Sequence, residues 1–316
     1  MKFSVLIICY NQQNSIEKCI ESVLCQKEYI HQIIIADDCS TDKTRELVLK
    51  YAKLNEQLIT QVFNKKNLGA IGNYNNGIKH LEGDLCAILA GDDILPSDSV
   101  KNLCRFVYEN KIDLRNQKTA IIGNNEVRFP NGGSYLYNNY KIKDNNPFKE
   151  QIRLGISTRD FGFPVYLVKK YPIKSGVGIA ADSFRNLEIF HEVEKTYFIN
   201  EVVSIYNAGV GITSKVSMKD FSQSYLLFCD QITSKRFNLI DSRDIRFLQY
   251  KKIMAQYFVE KKMVKSVFKY FKLLFYYFIN LGNFSVNNSA KSNLKYLLPF
   301  YIPVSLFIKT NFRFKQ

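Results

Sequence analysis

DLCAILAGDD, Asp84–Asp93, is an apolar run that stops on a glycine and two adjacent carboxylates. A run this short and this apolar suits a strand buried on both faces, as in a parallel sheet. Its abrupt acidic end suits the carboxyl edge of such a sheet, where ligands of open α/β folds bind. Two neighbouring negative charges repel, so Asp92 and Asp93 call for a positive partner.

The residues upstream repeat this design. FSVLIICY (3–10) reads as a first buried strand. NSIEKCIESVLCQ (14–26) carries Ile16, Cys19, Ile20, Val23 and Leu24 at helical spacing, with Asn14 or Ser15 placed to cap it. HQIIIADD (31–38) is a second strand, and STDKTRELVLKYAKL (40–54) a second helix. LITQVFN (58–64) is a third strand, IGNYNNGIKHL (71–81) a third helix, and the opening stretch a fourth strand. Strand and helix in alternation predict βαβ units and a parallel sheet. Both acidic pairs, Asp37-Asp38 and Asp92-Asp93, then fall at strand carboxyl ends and face one crevice.

Residues 120–210 are less regular. A turn at 131–134 separates two expected strands, 121–129 and 134–136. KDNNPFKE (143–150) reads as a loop, and AADSFRNLEIFHEV (180–193) as a helix with Phe184, Leu187, Ile189 and Phe190 apolar. Beyond about residue 217 the pattern is helical.

Bulk properties narrow the class. The 316 residues suit one main domain with an appendage. Seven cysteines form no Cys-x-x-Cys pair and sit in apolar stretches, which fits packed, reduced thiols. Met1-Lys2 runs directly into the first strand with no small-residue cleavage site, so a cytoplasmic chain is expected. The net charge is +15, and residues 215–316 hold 18 Lys and Arg against 5 Asp and Glu, so the excess lies in the last third.

Adjacent acids at a strand end suit a divalent cation, since Mg²⁺ and Mn²⁺ take one or two carboxylates plus substrate phosphates. An acid in IADDCSTDKT can cap its helix or accept a hydrogen bond from a nucleobase. GVGIAA (176–181) matches a dinucleotide fingerprint in letters only, because it follows no strand. His31, His80 and His191 lack metal-ligand spacing, and no zinc or RNA motif points to nucleic acid.

Taken in order, these segments resemble the family 2 glycosyltransferases of the GT-A fold over about 3–214. The resemblance rests on SVLIICYNQQNSIEKCIESVLCQ, IIIADDCSTDKT, NKKNLGAIGNYNNGIKHLEGDLCAILAGDD, AADSFRNLEIF and EVVSIYNAGVGITS. It implies a Rossmann-like, mostly parallel sheet flanked by helices at 1–214, followed by a helical extension at 215–316. It also implies that Ile8 and Tyr10 flank the nucleobase and that Asp37 hydrogen-bonds it. Asp92 and Asp93 would face the ribose and a Mg²⁺ or Mn²⁺ on the diphosphate, and Asp182 would be the general base. The implied reaction is inverting transfer of one sugar from a nucleotide-diphosphate sugar to a lipid-linked glycan acceptor. Three positions depart from the family pattern: Ala90 replaces the first metal-motif acid, Ala181 the Glu before the base, and Tyr74 an Arg often found on the third helix. Ala90 and Ala181 keep a second reading open, a GT-A-like scaffold without turnover that partners an active transferase. The absence of tryptophan excludes the Gln-x-x-Arg-Trp signature of processive members.

The tail carries its own pattern. Across 260–280, Val264, Val267, Phe268, Phe271, Leu274, Phe275 and Phe278 fall at three- and four-residue steps. Lys262, Lys265, Lys269 and Lys272 form a separate stripe. Neither this stretch nor 294–309 reaches the ~20 apolar residues of a bilayer span. The expectation is a helix lying on the anionic inner face of the cell membrane; packing on the catalytic domain is the alternative.

Overall fold

The computed structural model describes residues 1–142, 146–153, 160–211 and 216–235, with Phe237, Leu248 and Lys252 besides. The expected amphipathic helix at 260–280 and the stretch at 294–309 lie outside the described residues.

The four expected strands form as β1 (Phe3–Cys9), β2 (Gln32–Asp37), β3 (Ile59–Phe63) and β4 (Leu85–Ala90). They pair in parallel in the order β3-β2-β1-β4. The apolar runs are buried on both faces because each strand feeds two cores. Leu6, Ile34, Cys86 and Ile88 enter one, while Val5, Ile7, Ile33, Ile35, Ala87 and Leu89 enter the other. The connecting helices are α1 (Ile16–Leu24), α2 (Thr44–Leu54) and α3 (Gly69–Gly77). Ser15 occupies the N-cap of α1 without a side-chain capping bond. The third helix is shorter than its pattern suggests, with a 3₁₀ turn taking over at Ile78–His80. At Gly77 a Cβ would lie 2.8 Å from Leu6 Cδ1, so glycine lets α3 lie close on the sheet.

The rest of the chain adds a second sheet. After α4 (Ser99–Glu109), β5 (Thr119–Arg128) pairs antiparallel with β6 (Ser134–Tyr137) and parallel with β8 (Lys195–Asn207). The chain between 137 and 195 holds α5 (Pro147–Arg153), β7 (Phe161–Pro164), α6 (Val165–Lys170) and α7 (Ala181–Glu192). The loop expected at 143–150 is therefore corrected from Pro147 onward. Pro fixes φ for a first helical position and Phe148 and Ile152 supply a buried face. The short strand β7 joins the first sheet antiparallel to β4. It also touches the second sheet at Gly162, where φ is +72° and a Cβ would run into the Ile121 carbonyl oxygen. Finally α8 (Met218–Lys235) places Phe228, Cys229 and Ile232 in the core shared with α7.

Gly162 is thus a backbone junction between the two sheets. Gly162→Ala adds a left-handed alanine and a clash with main chain that cannot swing away. The expected loss is at least about 2 kcal/mol, read as a shifted urea midpoint at unchanged slope.

Candidate functional site

Two loops at the carboxyl ends of β1 and β2 are laced together. The Asn11 N–H donates to Ser40 Oγ at 2.9 Å, and Asn11 Oδ1 accepts the Thr41 N–H at 2.8 Å. The Gln12 N–H donates to Thr44 Oγ1 at 2.7 Å, and the Gln13 N–H to Asp42 Oδ2 at 3.1 Å. Burial pushes the Asp42 carboxyl up, but hydrogen bonds from Thr44 and Gln13 outweigh it and hold the group below the usual range. Asn11 and Cys39 both sit at positive φ, +50° and +62°, so the lacing holds backbone in a sparsely populated region.

The first acidic pair divides its work. Asp37, fully buried, accepts the Ser40 N–H at 3.1 Å and the Ser40 hydroxyl. Each carboxylate oxygen has two acceptor directions, so these bonds do not exhaust Asp37. Asp38 Oδ1 accepts Asn64 Nδ2 and the Leu68 N–H, both at 2.8 Å. Asn64 Nδ2 also reaches Asn73 Oδ1 at 3.0 Å, and Asn73 Nδ2 donates to the Ala36 carbonyl at 2.9 Å. Asp38 therefore binds the end of β3 and the entry to α3 to the end of β2. Ile8 is half-buried and Tyr10 is 43% exposed at the end of β1, beside these loops.

The second pair is anchored from the far sheet. Asn207, the last residue of β8, donates through its side-chain amide to the Asp92 carbonyl at 2.6 Å and through its backbone N–H to Asp93 Oδ1 at 3.2 Å. Ile94 and Ile205 exchange two backbone hydrogen bonds at 3.0 Å each, which docks the acidic turn along β8. Both carboxylates are 6% exposed. A Cβ on Gly211 would lie 2.9 Å from Asp92 Oδ2, so glycine lets the chain pass close to that carboxylate. No group of three or more His, Cys, Asp or Glu among the described residues could hold a metal by itself. One or two carboxylates completed by phosphate oxygens is the arrangement Mg²⁺ accepts, and the donor set fits it. Behind the two pairs, burial first and then Asp37 push the Cys9 thiol up, and burial then Asp93 and Asp92 push up Cys19. All seven cysteines are free thiols.

Asp182 lies in the first turn of α7, exposed, with its Oδ1 accepting the Ser183 N–H at 2.6 Å. One turn on, Arg185 is fully buried and ion-paired with Asp160 at the entry to β7. Its guanidinium carbon stands 5.1 Å from the Tyr74 ring centre and 5.8 Å from that of Phe163. Burial opposes the Arg185 charge, yet Asp160 above all keeps its pKa raised. Asp182 and Asp160 both act electrostatically on Tyr74, so α7 and α3 meet here. Sequence reasoning reached none of Asn207, Gly211, Arg185 or Asp160. Asn207 lies inside the quoted EVVSIYNAGVGITS segment, but nothing local marks a lone Asn as the anchor of two acids 114 and 115 residues away.

Asp38→Ala removes the acceptor of the Leu68 N–H and of one of the two bonds made by the Asn64 amide. It should cost about 1–3 kcal/mol in urea unfolding, whereas Asp38→Asn, which keeps an acceptor oxygen, should cost less.

Residues 4–170 match the family described as Glycosyl transferase family 2. The UDP-Glc:alpha-D-GlcNAc-diphosphoundecaprenol beta-1,3-glucosyltransferase WfgD of Escherichia coli is 30% identical over 39% of this chain and 48% of its own length. The chain spans less than half the length of the curated relatives it matches, from 15% to 48%. The crystal structure of S. aureus TarS 1-349 in complex with UDP-GlcNAc aligns with TM-score 0.59 at 19% identity, covering 81% of this chain and 73% of that one. A mannosyltransferase from Pyrobaculum calidifontis in complex with GDP-Man and Mn²⁺ aligns with TM-score 0.55 at 16% identity, covering 97% and 82%. The acidic strand ends, the antiparallel β7 on a parallel sheet and the family match agree: this chain belongs to glycosyl transferase family 2 and adopts the GT-A fold.

Proposed function

We propose that this chain is an inverting glycosyltransferase that moves one sugar from a nucleotide-diphosphate sugar, a UDP-sugar, to a hydroxyl of a lipid-linked acceptor in cell-surface glycan synthesis. The observation that carries the reading is the anchored pair at the end of β4. Asn207 anchors Asp92 and Asp93 just past the carboxyl end of β4, and Gly211 lets the chain pass close to Asp92 Oδ2. The relative named for glucosyl transfer to a diphosphoundecaprenol-linked sugar supports the acceptor class, and the UDP-GlcNAc and GDP-Man complexes support the donor class.

In this reading Ile8 and Tyr10 flank the base, Asp37 accepts its N–H, and Asp92 and Asp93 hold Mg²⁺ or Mn²⁺ with the diphosphate. The bound cation neutralises charge on the leaving diphosphate. Asp182, exposed at the start of α7, takes the proton of the attacking acceptor hydroxyl. The hydroxyl attacks opposite the leaving group, and a single displacement inverts the anomeric centre. Residues 1–214 form the transferase unit, α8 packs on it through Phe228, Cys229 and Ile232, and the basic region from 215 serves to attach the protein to the inner face of the membrane. No helix among the described residues is long and apolar enough to cross a membrane.

Asp92→Asn and Asp93→Asn should each abolish Mn²⁺-dependent thermal stabilisation by UDP without changing the unliganded melting temperature. If both variants respond like wild type, the metal assignment is wrong. Asp182→Asn should keep that stabilisation but lower transfer at least ~10²-fold, the low end for loss of a general base. Unchanged turnover would remove Asp182 from that role.

A further inference from the structure

We propose that β6 is an aromatic platform for the glycan part of the acceptor, with Tyr135 and Tyr137 as its contact residues. The inference rests on the transferase reading and adds a place for the substrate that the reading leaves without one.

β6 is the outer strand of the second sheet, and all four of its residues are exposed. Tyr135 is 54% exposed and Tyr137 40%, so two large rings are presented to solvent on this strand. They are two residues apart, so they project from one face, and their rings meet edge to face at 4.8 Å between centres. Register extends the face toward the site. Tyr135 pairs with Val127 on β5, which pairs with Tyr206 on β8, so these three share one face of the sheet. Tyr206 is half-buried and adjoins Asn207, the anchor of Asp92 and Asp93. Counting strand spacings from the acidic turn through β8 and β5 to β6 puts the tyrosines about 14 Å from the acids. The row therefore leads away from the reacting end rather than lying over it.

That distance and chemistry suit a sugar chain. A pyranose presents an apolar C–H face for a ring and hydroxyls for polar tips, and tyrosine offers both with little rotamer entropy to lose. A single sugar would not reach from the acids to β6, so the platform holds an acceptor that is already an oligosaccharide. The rival occupant is a second copy of this chain, since an outer strand can pair edge to edge.

The chain has no tryptophan, so Tyr135→Trp creates a sole indole reporter while keeping an aromatic surface. Its emission is titrated with tetra- to hexasaccharides of β-linked glucose and of β-linked N-acetylglucosamine, and separately with UDP plus Mn²⁺. The expected result is a saturable emission shift with at least one glycan series, none with UDP plus Mn²⁺, and about tenfold weaker glycan binding by calorimetry in a Tyr135→Ala, Tyr137→Ala double variant. Thermal stabilisation of that double variant by UDP plus Mn²⁺, equal to wild type, certifies its fold and reads the donor site independently. Stabilisation by UDP without any glycan response overturns the platform alone; loss of the UDP response in wild type overturns the donor reading instead. A wild-type dimer that the double variant dissociates, seen by sedimentation, would make β6 a subunit contact and overturn the proposal.

Discussion

Asn73 carries a buried amide that meets three parallel strands at once. It donates to Ala36 on β2 and reaches toward the Cys9 carbonyl on β1, while accepting from Asn64 just past β3. At the carboxyl end of a parallel sheet the last carbonyls have no further strand residue to bond. Leaving them unpaired in a buried place costs about as much as losing a hydrogen bond each. Asn73 meets that need at the Ala36 carbonyl at 2.9 Å, and the Asp38 N–H meets it at the Cys9 carbonyl at 3.0 Å. The Asn64–Asn73–Asp38 web fixes where the chain leaves β2 and β3, next to Asp37, while the acids after β4 take their position from Asn207.

This web also explains how much could be read in advance. The first half of the chain is legible because each parallel strand is an uninterrupted apolar run and each acid pair marks a strand end. β1 to β4 and their helices follow from spacing alone. Asp38 and Asp92 attract notice through adjacency to another acid, which is unusual in sequence. Their anchors do not, because Asn64, Asn73 and Asn207 are common polar residues whose partners are fixed only after folding.

Residues 137–195 are harder to read for a different reason. β7 is four residues long and held by pairing with β4 and by the glycine at 162, neither of which leaves a periodic trace. α5 hides behind the polar residues before Pro147. α6 is six residues long, below the length at which helical periodicity is visible. α7 was legible because it buries nearly its whole length, including Arg185, Asn186 and Glu188 that pattern reading would place in water. Glu188 on that helix has a tertiary partner in Lys174 at 2.7 Å.

Arg185 bears on the departures from the family pattern. The resemblance leads one to expect a cation on the third helix at position 74 and a carboxylate at 181, and this chain has tyrosine and alanine there. The structure brings a cation to the same place from α7: the Arg185 guanidinium stands over the Tyr74 ring, and its carboxylate partner is Asp160. Arg185 Nε and Nη1 and the Tyr74 hydroxyl find no hydrogen-bond partner among the described residues, so the ring faces replace part of what hydrogen bonds would supply. A buried pair of this kind gives little net stability, but removing one partner strands the other charge at a cost of about 3–5 kcal/mol. The three residues therefore depend on one another. Arg185 would not be tolerated in the core without Asp160, and a cation at 74 would repel it. The tyrosine at 74 then belongs to a rearranged charge network that ties α7, with Asp182 at its start, to α3.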